Sequence, residues 1–277
     1  MHDSLETFGR SLIHHGAYND RAYLMKLHEE DSEEIVGRLD MLATSRGYSK
    51  IFAKVPSSVR ERFLAGGYVE EARIPCFYPG GEAVSFMGKY FTASRAREQE
   101  VQLVSDVLSA AGTAAEVSAA TQLPQGFTVR TAVAEDCEEM AKIYREVFAS
   151  YPFPIHDPAF LRAAMHDATM FFGIWQGTTI AALSSAEIDF HSASAEMTDF
   201  ATQPAFRGNG FALYLLREME AAVSGRGIRA LFTIARAYSF GMNITFSRNG
   251  YLYGGTLTNN TNISGRLESM NVWYKIL

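Results

Sequence analysis

The spacing of apolar residues divides the chain into short segments, some with the alternation of a half-buried strand and some with the repeat of an amphipathic helix. In the first third of the chain this pattern predicts a strand, a helix, a strand, a helix and a hairpin. The segments are Ala22 to Leu27, Ser32 to Arg46, Ile51 to Val55, Pro56 to Leu64, and Tyr68 to Tyr78 with Ala83 to Phe91 around Pro79-Gly80-Gly81. Ser32 is a candidate N-cap of the first helix, and Gly47 closes it.

The pattern continues as a helix from Ser94 to Ala111 and then loses its periodicity in the small residues from Gly112 to Gly126. We therefore predict a linker at 112–126 between a domain at 1–111 and a domain at 127–277. The predicted elements of the second domain are Phe127 to Val133, Glu135 to Ala149, Asp157 to His166, Met170 to Trp175, Thr179 to Phe190, Glu196 to Thr202, Ala212 to Glu220, Ile228 to Ala235, Tyr238 to Arg248, and Tyr251 to Thr258 with Met270 to Ile276. A proline-rich loop, Tyr151 to Pro158, precedes the second helix.

The two parts of the chain resemble each other in sequence. IFAKVP, a helix, a Gly-Tyr pair and a hairpin in the first part correspond to LFTIAR, a helix, a Gly-Tyr pair and a hairpin in the second. The matching positions include Ile51 and Leu231, Gly67 and Gly250, and Ser85 and Ser269. This spacing indicates an internal repeat whose first copy lacks a glycine loop, although chance similarity between two α/β segments stays a serious alternative.

Composition narrows the class of protein. Hydrophobic residues make up 47% of the 277 residues and charged residues 20%, as in a globular protein with a well-formed core. We expect no membrane span, because no apolar run approaches about 18 residues. Two cysteines, Cys76 and Cys137, imply no disulfide framework, and the first residues show no secretory signal, so a cytoplasmic location is expected. The net charge of −6 argues against a nonspecific nucleic-acid binder.

The most informative stretch runs from Ala195 to Leu216. A predicted strand ends at Gln203-Pro204 and is followed by Arg207-Gly208-Asn209-Gly210 and a run of strong helix formers. A glycine turn before a helix directs several backbone N–H groups at one point, where a phosphate group binds well. The loop lacks the Lys-Ser/Thr of a Walker A motif and the third glycine of a dinucleotide fingerprint. Taken alone, it is equally compatible with an ordinary turn.

The loop spells R-x-x-G-x-A at Arg207, Gly210 and Ala212. That motif after a strand, with the order β-α-α-β-β-β-α-β-α-β-β from Phe127 to Leu277, resembles the GNAT acetyltransferases. The resemblance implies an α+β (αβα layered) fold with a mixed, mostly antiparallel central sheet, preceded here by a degenerate half-GNAT-like domain. It also implies acetyl-CoA as cofactor, with CoA as product. The implied cofactor-binding residues are Phe200, Ala201, Thr202, Arg207, Gly208, Asn209, Gly210, Phe211 and Ala212.

The same resemblance suggests catalytic groups. The Phe200 N–H is the expected oxyanion donor, and Glu196, eleven residues before Arg207, matches the general-base glutamate of histone-type members. A solvated glutamate at a strand edge is nearly as compatible with the pattern. Where many members carry an acid tyrosine this chain has Phe246, which cannot donate a proton. Ser239, Asn243 and Tyr238 are the nearest substitutes.

Candidate substrate-binding residues come from two polar groups. Glu187 and Asp189 lie two apart on one strand, hence on one face, and Asp199 lies on the next strand. They form either a pocket for the ammonium group of a diamine or an exposed hairpin end. The run from Leu257 to Trp273 is rich in amides and is either a polar hairpin loop or a site for a zwitterion. Its candidates, with Tyr151 of the proline-rich loop, are Asn260, Asn262, Glu268 and Asn271. The histidines do not show a metal-binding spacing such as H-E-x-x-H, so we expect no metal.

Longer motifs narrow the resemblance to one family within the GNAT proteins. They are YPFPIHDP, SSAEIDF, AEMTDFATQPAFRGNGFA, TIARAYSFGMN, GGTLTNNTNISG and ESMNVWYK. Together with an N-terminal block from YLMKL to FMGKY, they resemble the β-lysine N-acetyltransferases over nearly the full chain. The resemblance implies acetylation of the terminal amine of β-lysine to Nε-acetyl-β-lysine, an osmolyte, with lysine 2,3-aminomutase as the pathway partner. Lysine, a polyamine or a peptide N-terminus as acceptor, and a non-catalytic acetyl-CoA sensor, stay open as alternatives.

Overall fold

A computed structural model describes residues 3–114 and 122–277. Residues 115–121, in the predicted linker at 112–126, lie outside the described residues. The strands are β1 (Ser4–Phe8), β2 (Ser11–Gly16), β3 (Arg21–Lys26), β4 (Lys50–Pro56), β5 (Val69–Ile74), β6 (Val84–Tyr90), β7 (Phe127–Thr131), β8 (Thr169–Gln176), β9 (Thr179–Asp189), β10 (Ser194–Thr202), β11 (Ala230–Arg236), β12 (Leu252–Ile263) and β13 (Arg266–Ile276). The α-helices are α1 (Ile35–Arg46), α2 (Arg60–Ala65), α3 (Val101–Gly112), α4 (Cys137–Val147), α5 (Pro158–His166), α6 (Phe211–Val223) and α7 (Phe240–Arg248). Within the described ranges, none of these helices has the length and apolar character needed to cross a membrane.

Most predicted elements are present, and two helix starts were wrong. Helix α1 begins at Ile35 with Glu34 as N-cap, so Ser32 does not cap it. Helix α3 begins at Val101 instead of Ser94. The residues before α3 are held by tertiary hydrogen bonds, because the Arg95 guanidinium donates to the Asn19 carbonyl over 2.8 Å. These bonds replace the helical pattern that the apolar spacing predicts.

All strands form one mixed sheet in the order β1-β2-β3-β4-β6-β5-β12-β13-β11-β10-β9-β8-β7. Among the described residues only the β3–β4 and β10–β11 pairs are parallel, which confirms the predicted mixed, mostly antiparallel sheet. The order β2-β3-β4-β6-β5 in the first half has the same strand directions as β9-β10-β11-β13-β12 in the second. Below, the first half means β1 to β6 and the second half means β7 to β13.

The halves join where β5 runs antiparallel to β12, with Gly255 opposite Ala72. A Cβ at Gly255 would overlap the backbone of Glu71 and Ala72. The Gly255 φ of 141° is also a conformation that other residues rarely adopt. The seam therefore brings two backbones closer together than any side chain at this position would allow.

One apolar core crosses the seam. Phe52 and Phe86 of the first half pack in the same cluster as Phe232 and Val272 of the second. The Phe77 and Phe232 rings lie 5.5 Å apart in an edge-to-face arrangement. Since each fully buried large apolar side chain contributes about 2 kcal/mol, this shared cluster holds the halves together as one body.

The sheet is strongly curved. Strands β3 and β9 are far apart in the strand order, yet the Lys26 Nζ lies 3.3 Å from Asp189 Oδ2. Likewise, the Lys54 ammonium on β4 lies 5.2 Å from the ring centre of Phe232 on β11. Right-handed twist, accumulated over many strands, brings the two ends of the sheet around toward each other. The result is a concave face on which both halves present side chains.

Candidate active site

Strands β10 and β11 run side by side for only three residue pairs and then separate. The parallel pairing is Ser194 with Ala230, Ala195 with Leu231, and Glu196 with Phe232. Beyond Glu196, β10 keeps β9 as its neighbour but has no pair in β11 within the described residues. Because an unpaired strand edge presents N–H and C=O groups, this gap is a place where an extended ligand can hydrogen-bond to β10.

A β-bulge lies beside the gap. The β10–β9 register shifts between Thr198 and Ala201, and Asp199 has a φ of 55°. The bulge places the Asp199 carboxylate in a buried position, where Tyr151 Oη donates to Oδ1 over 2.5 Å and Ser185 Oγ donates to Oδ2 over 2.6 Å. Bulges commonly redirect a side chain next to a functional site, as this one does.

The glycine loop after β10 leads directly into α6. Gly208 and Gly210 have φ values of 85° and 73°, and Gly210 is the N-cap of the helix. No side chain of the described residues caps α6, so the N–H groups of its first turn are left for a ligand. A Cβ built at either glycine meets no described atom within 4 Å, which means that the space in front of the loop is open. Loop and helix thus fit a diphosphate group.

A cavity of about 140 Å³ lies at the concave face between the halves. Its lining residues from the first half are Arg21, Tyr23, Met25 and Phe52. Those from the second half are Phe148, Tyr151, Pro152, Phe153, Glu187, Glu196, Thr198, Asp199, Phe200, Thr233, Ile234, Ala235, Arg236, Met242, Phe246, Asn260, Thr261, Ile263 and Met270. The cavity therefore reaches the β10–β11 gap at Glu196 and Phe200.

Three carboxyl groups meet in this cavity. Glu187 and Glu196 are directly opposite each other on β9 and β10. Burial raises the pKa of Glu196 to about 7, with Lys54 opposing the rise and Asp199 adding to it. Desolvation by the surrounding cleft, then the charges of Glu196 and Asp199, hold the pKa of Glu187 well above its usual range. Part of the residue surface is still exposed to solvent. Near neutral pH these groups share protons, which is how closely spaced carboxyls avoid repulsion.

Ser239 and Asn243, two residues considered in place of the missing acid tyrosine, make hydrogen bonds that hold the fold together. Phe246 lines the cavity, and its ring packs edge-on against Phe200 with centres 5.6 Å apart. Ser239 caps α7 by accepting a hydrogen bond from Met242 N. Asn243 is fully buried, and its Oδ1 accepts from Trp273 Nε1 over 2.8 Å. The structure does not bring Ser239 or Asn243 to the cavity.

Four of the predicted substrate residues also lie away from the cavity. Asp189 pairs with Lys26, and Asn262 Nδ2 donates to the Tyr18 carbonyl over 2.8 Å. Glu268 is 1% exposed and takes a bidentate ion pair from Arg236. Asn271 is fully buried and donates to Asn243 Oδ1. Each of these side chains has a partner within the protein and none of them lines the cavity, and their roles at the substrate stay predictions.

The polar run from Leu257 to Trp273 is not a loop. It forms the paired strands β12 and β13, with a register shift between Leu257 and Thr261. The interpretation as a polar hairpin loop was therefore wrong, because buried amides bond to each other across strands where a loop's amides would face water. Of the candidates in this run, the structure brings only Asn260 to the cavity, where it joins Tyr151, Glu187, Glu196, Asp199 and Phe200.

The first half contributes cavity residues that the sequence analysis missed. Arg21, Tyr23 and Met25 alternate on β3 and so point to one face. Their pattern is that of any half-buried strand, and nothing nearby in sequence marks them as part of a site. The internal repeat was the available signal: Tyr23 pairs with Phe52 as Glu196 pairs with Phe232. Tyr23 thus occupies the first half's counterpart of the Glu196 position.

Comparisons with known proteins identify the family of the chain. The model of the acetyltransferase (GNAT) family matches residues 137–242. The β-lysine N(6)-acetyltransferase of Methanococcus maripaludis is 39% identical over 266 residues, covering 96% of each chain. A protein of the same name from Methanosarcina mazei is 31% identical over 88% of this chain and 97% of its own. Among solved structures, a mutant of spermidine N-acetyltransferase SpeG from Vibrio cholerae is 18% identical, with a TM-score of 0.47, over 55% of this chain and 95% of that one.

Proposed function

This chain belongs to the GNAT acetyltransferases and, within them, to the β-lysine N6-acetyltransferase family, and we propose from this premise that it transfers the acetyl group of acetyl-CoA to the terminal amine of β-lysine. The products are Nε-acetyl-β-lysine and CoA. The observation that carries the proposal is the group of carboxyls at Glu187, Glu196 and Asp199, at the point where β10 parts from β11. A diamine needs acidic partners for two ammonium groups, and this cavity supplies them beside the gap.

The cofactor site in this proposal is built from backbone groups. The N–H groups at Gly208, Gly210 and the first turn of α6 hold the diphosphate, and Arg207 adds an exposed positive charge. The free edge of β10, including Ala201 and Thr202, holds the pantetheine arm. The coenzyme supplies an activated thioester. The Phe200 N–H is assigned to the oxygen of that group, where such a donor contributes about 3 kcal/mol in the transition state.

Glu196 is assigned as the general base. The attacking amine has a pKa near ~10.4 in water, so at neutral pH it arrives as an ammonium and must lose a proton. With a pKa of about 7, Glu196 is ionised in a useful fraction of molecules at neutral pH and accepts that proton directly or through a water. Asp199 and Glu187 are assigned to the ammonium group that does not react. The side chain of Phe246 has no acidic hydrogen. In this proposal the thiolate of the departing CoA is therefore protonated by solvent.

The proposal extends to the pathway. Lysine 2,3-aminomutase, which makes β-lysine, is the expected source of the acceptor, and the product is expected to serve as an osmolyte. Acetyl-CoA is a cytoplasmic metabolite, so the proposed reaction belongs to the cytoplasm. No metal takes part in the proposed chemistry. Within the described residues no group of three or more His, Cys, Asp or Glu side chains is arranged to hold an ion.

A comparison of acceptor amines tests the proposal. We expect kcat/KM with β-lysine to exceed kcat/KM with lysine and with putrescine by at least about tenfold. Lysine carries its second amine at a different carbon and putrescine has no carboxylate, so each leaves buried polar groups of the protein without a partner. Release of free CoA in the presence of each amine measures this. Equal turnover of putrescine and β-lysine would discard β-lysine as the preferred acceptor. Tight CoA binding without turnover of any amine would instead favour an acetyl-CoA sensor.

The Asp199→Asn variant tests the ammonium assignment. It keeps the shape of a side chain whose oxygens accept from Tyr151 and Ser185, and it removes the negative charge. We expect KM for β-lysine to rise about tenfold while kcat changes by less than about threefold. Asp189→Asn is the matched control, because Asp189 is on the neighbouring strand and pairs with Lys26 away from the cavity. A larger change in kcat than in KM for Asp199→Asn would point to a chemical role.

A further inference from the structure

Arg21 is a buried cation of the first half that faces the cavity. It is 3% exposed and lines the cavity. Its guanidinium lies 5.2 Å from the ring centre of Tyr23 and 5.7 Å from that of Phe52. Burial lowers its pKa to about 10, so it still carries its charge at neutral pH. The two ring faces give this charge partial stabilisation but do not neutralise it.

The hydrogen bonds of Arg21 use only one of its nitrogens. Nη1 donates to the Asn260 carbonyl over 2.5 Å and to Thr261 Oγ1 over 3.1 Å. Nε is buried without a partner, and Nη2 makes no hydrogen bond, among residues 3–114 and 122–277. The edge of the guanidinium formed by Nε and Nη2 is therefore unused, although it is the edge that suits a carboxylate.

Within the described part of the chain no carboxylate lies within 4.0 Å of Arg21. Asp3 and Glu71 are near enough to raise its pKa, but both are occupied. Asp3 accepts from the backbone N–H of Tyr18 over 2.9 Å, and Glu71 pairs with Lys50 over 2.8 Å. An unpaired buried cation is costly, so a site that keeps one is prepared for an anion that arrives from outside.

Arg236 of the same cavity shows what the free edge of Arg21 can hold. Its Nε and Nη2 each donate to a different oxygen of Glu268 over 2.8 Å. Two other buried cations of the first half are also paired, since Lys50 contacts Glu71 and Arg95 contacts Asp20. Arg21 offers the same two donors as Arg236, on a residue that lines the cavity and has no protein carboxylate as a partner.

We propose that the Nε–Nη2 edge of Arg21 binds the carboxylate of the amino-acid acceptor. This inference rests on the proposed function, and it makes the first half the part of the chain that selects an amino acid over a plain diamine. Asn260 supports it, since Asn260 Oδ1 is buried at the cavity without a hydrogen-bond donor among the described residues. In β-lysine the 3-ammonium is one methylene from the carboxylate, so an amide oxygen next to Arg21 is placed to accept one of its three hydrogens, while the acidic side chains assigned to the same ammonium supply the negative charge.

The opposite end of the cavity completes the arrangement. Arg21, Tyr23 and Glu196 all line the cavity, and the Tyr23 ring centre lies 5.2 Å from the Arg21 guanidinium. Burial and then the charge of Glu196 raise the pKa of the Tyr23 hydroxyl, so Tyr23 is near both charged groups. A molecule with a carboxylate at one end and an amine at the other therefore meets Arg21 at one wall and Glu196 at the other. A diamine without a carboxylate leaves Arg21 unpaired, and this lowers its binding.

The test compares β-lysine with its carboxamide, 3,6-diaminohexanamide, which has the same shape and no negative charge. The wild type should prefer β-lysine on the order of a hundredfold in kcat/KM, and Arg21→Gln should reduce this preference to less than about fivefold. Most of the change should appear in KM. Titration calorimetry of β-lysine into the enzyme–CoA complex should show the same loss of affinity, independent of turnover.

Arg95→Gln is the matched control, because Arg95 is equally buried in the first half but does not line the cavity. It should keep the full preference for β-lysine. If Arg21→Gln does not fold, Arg21→Lys is the variant to test. Lysine keeps the positive charge but lacks the two parallel N–H donors of the guanidinium, so this variant should keep only about a tenth of the preference for β-lysine. An undiminished preference in either Arg21 variant, or an equal loss on both substrates, would overturn the inference.

The two proposals can fail separately. If the wild type does not acetylate β-lysine, the proposed substrate is wrong. Arg21 is then tested with the amine that is turned over, for example lysine against lysinamide. A carboxylate preference that depends on Arg21 in that pair supports the inference, and one that does not depend on Arg21 rejects it.

Discussion

Replacement of Gly210 by aspartate is expected to weaken CoA binding on the order of a hundredfold. The new carboxylate would stand at the mouth of α6, where the backbone N–H groups are directed at the diphosphate. A unit negative charge about 4 Å from another costs between about 1 and 4 kcal/mol, depending on how much water separates them, and each 1.4 kcal/mol is tenfold in affinity. Calorimetric titration with CoA measures the loss without relying on catalysis.

Gly210→Asn is the control for the backbone at this position. Asparagine has the shape of aspartate and meets the same φ of 73°, which Asn and Asp tolerate better than most residues. No described atom lies within 4 Å of a Cβ at Gly210, so neither side chain is blocked. We expect Gly210→Asn to reduce the affinity for CoA by less than about tenfold. Equal CoA affinities for the two variants would show that the diphosphate does not bind at this loop.

Glu196→Gln is expected to lower kcat about a hundredfold to a thousandfold at pH 7. The wild-type rate should fall as pH drops through about 7, because protonated Glu196 cannot accept the proton of the amine. The glutamine variant has no group to titrate there, and its rate should rise with pH toward the amine pKa near ~10.4. The difference between the wild-type rate and the Glu196→Gln rate is therefore largest at and below about pH 7, and it decreases in alkaline solution. Pre-steady-state rates across pH 5.5 to ~10 would measure this.

Glu187→Gln is the matched control on the facing strand. Glutamine keeps the size of the side chain and removes the carboxyl that stands opposite Glu196. Because Glu187 is assigned to substrate binding, we expect its kcat to stay within about fivefold of the wild type while KM for β-lysine rises. Asp199→Asn removes a negative charge that raises the pKa of Glu196, so the inflection of that variant should move to lower pH. An unchanged pH profile in Glu196→Gln would exclude Glu196 as the base.

The local parts of the site were predictable from sequence. The glycine turn at Gly208 and Gly210 and the helix after it follow from residue preferences within a few positions. The meeting of Glu187 with Glu196 follows from two predicted strands joined by a short turn. In both cases the information lies within one hairpin or one turn, where spacing along the chain fixes spacing in the molecule.

The remote parts of the site were not predictable. Arg21 reaches the cavity only because the sheet curves enough to bring β3 near β10, and curvature accumulates over strands that no local pattern connects. Glu268 and Asn271 lie away from the cavity for a related reason. Their polar character resembles a loop or a ligand site, but their partners are Arg236 and Asn243, which are distant in sequence. Roles for the remaining candidates, including Phe200 and Tyr151, stay predictions.

The seam at Gly255 makes the second half structurally dependent on the first. The segment that the GNAT family model covers, 137–242, holds Glu196 and the glycine loop, but β12, β13 and Arg21 lie outside it. With two backbones in contact at Gly255, a gene that lost its first part would expose the β12 edge and open the acceptor cavity on one side. Loss of the first half would therefore alter the cavity and the exposed sheet edge together.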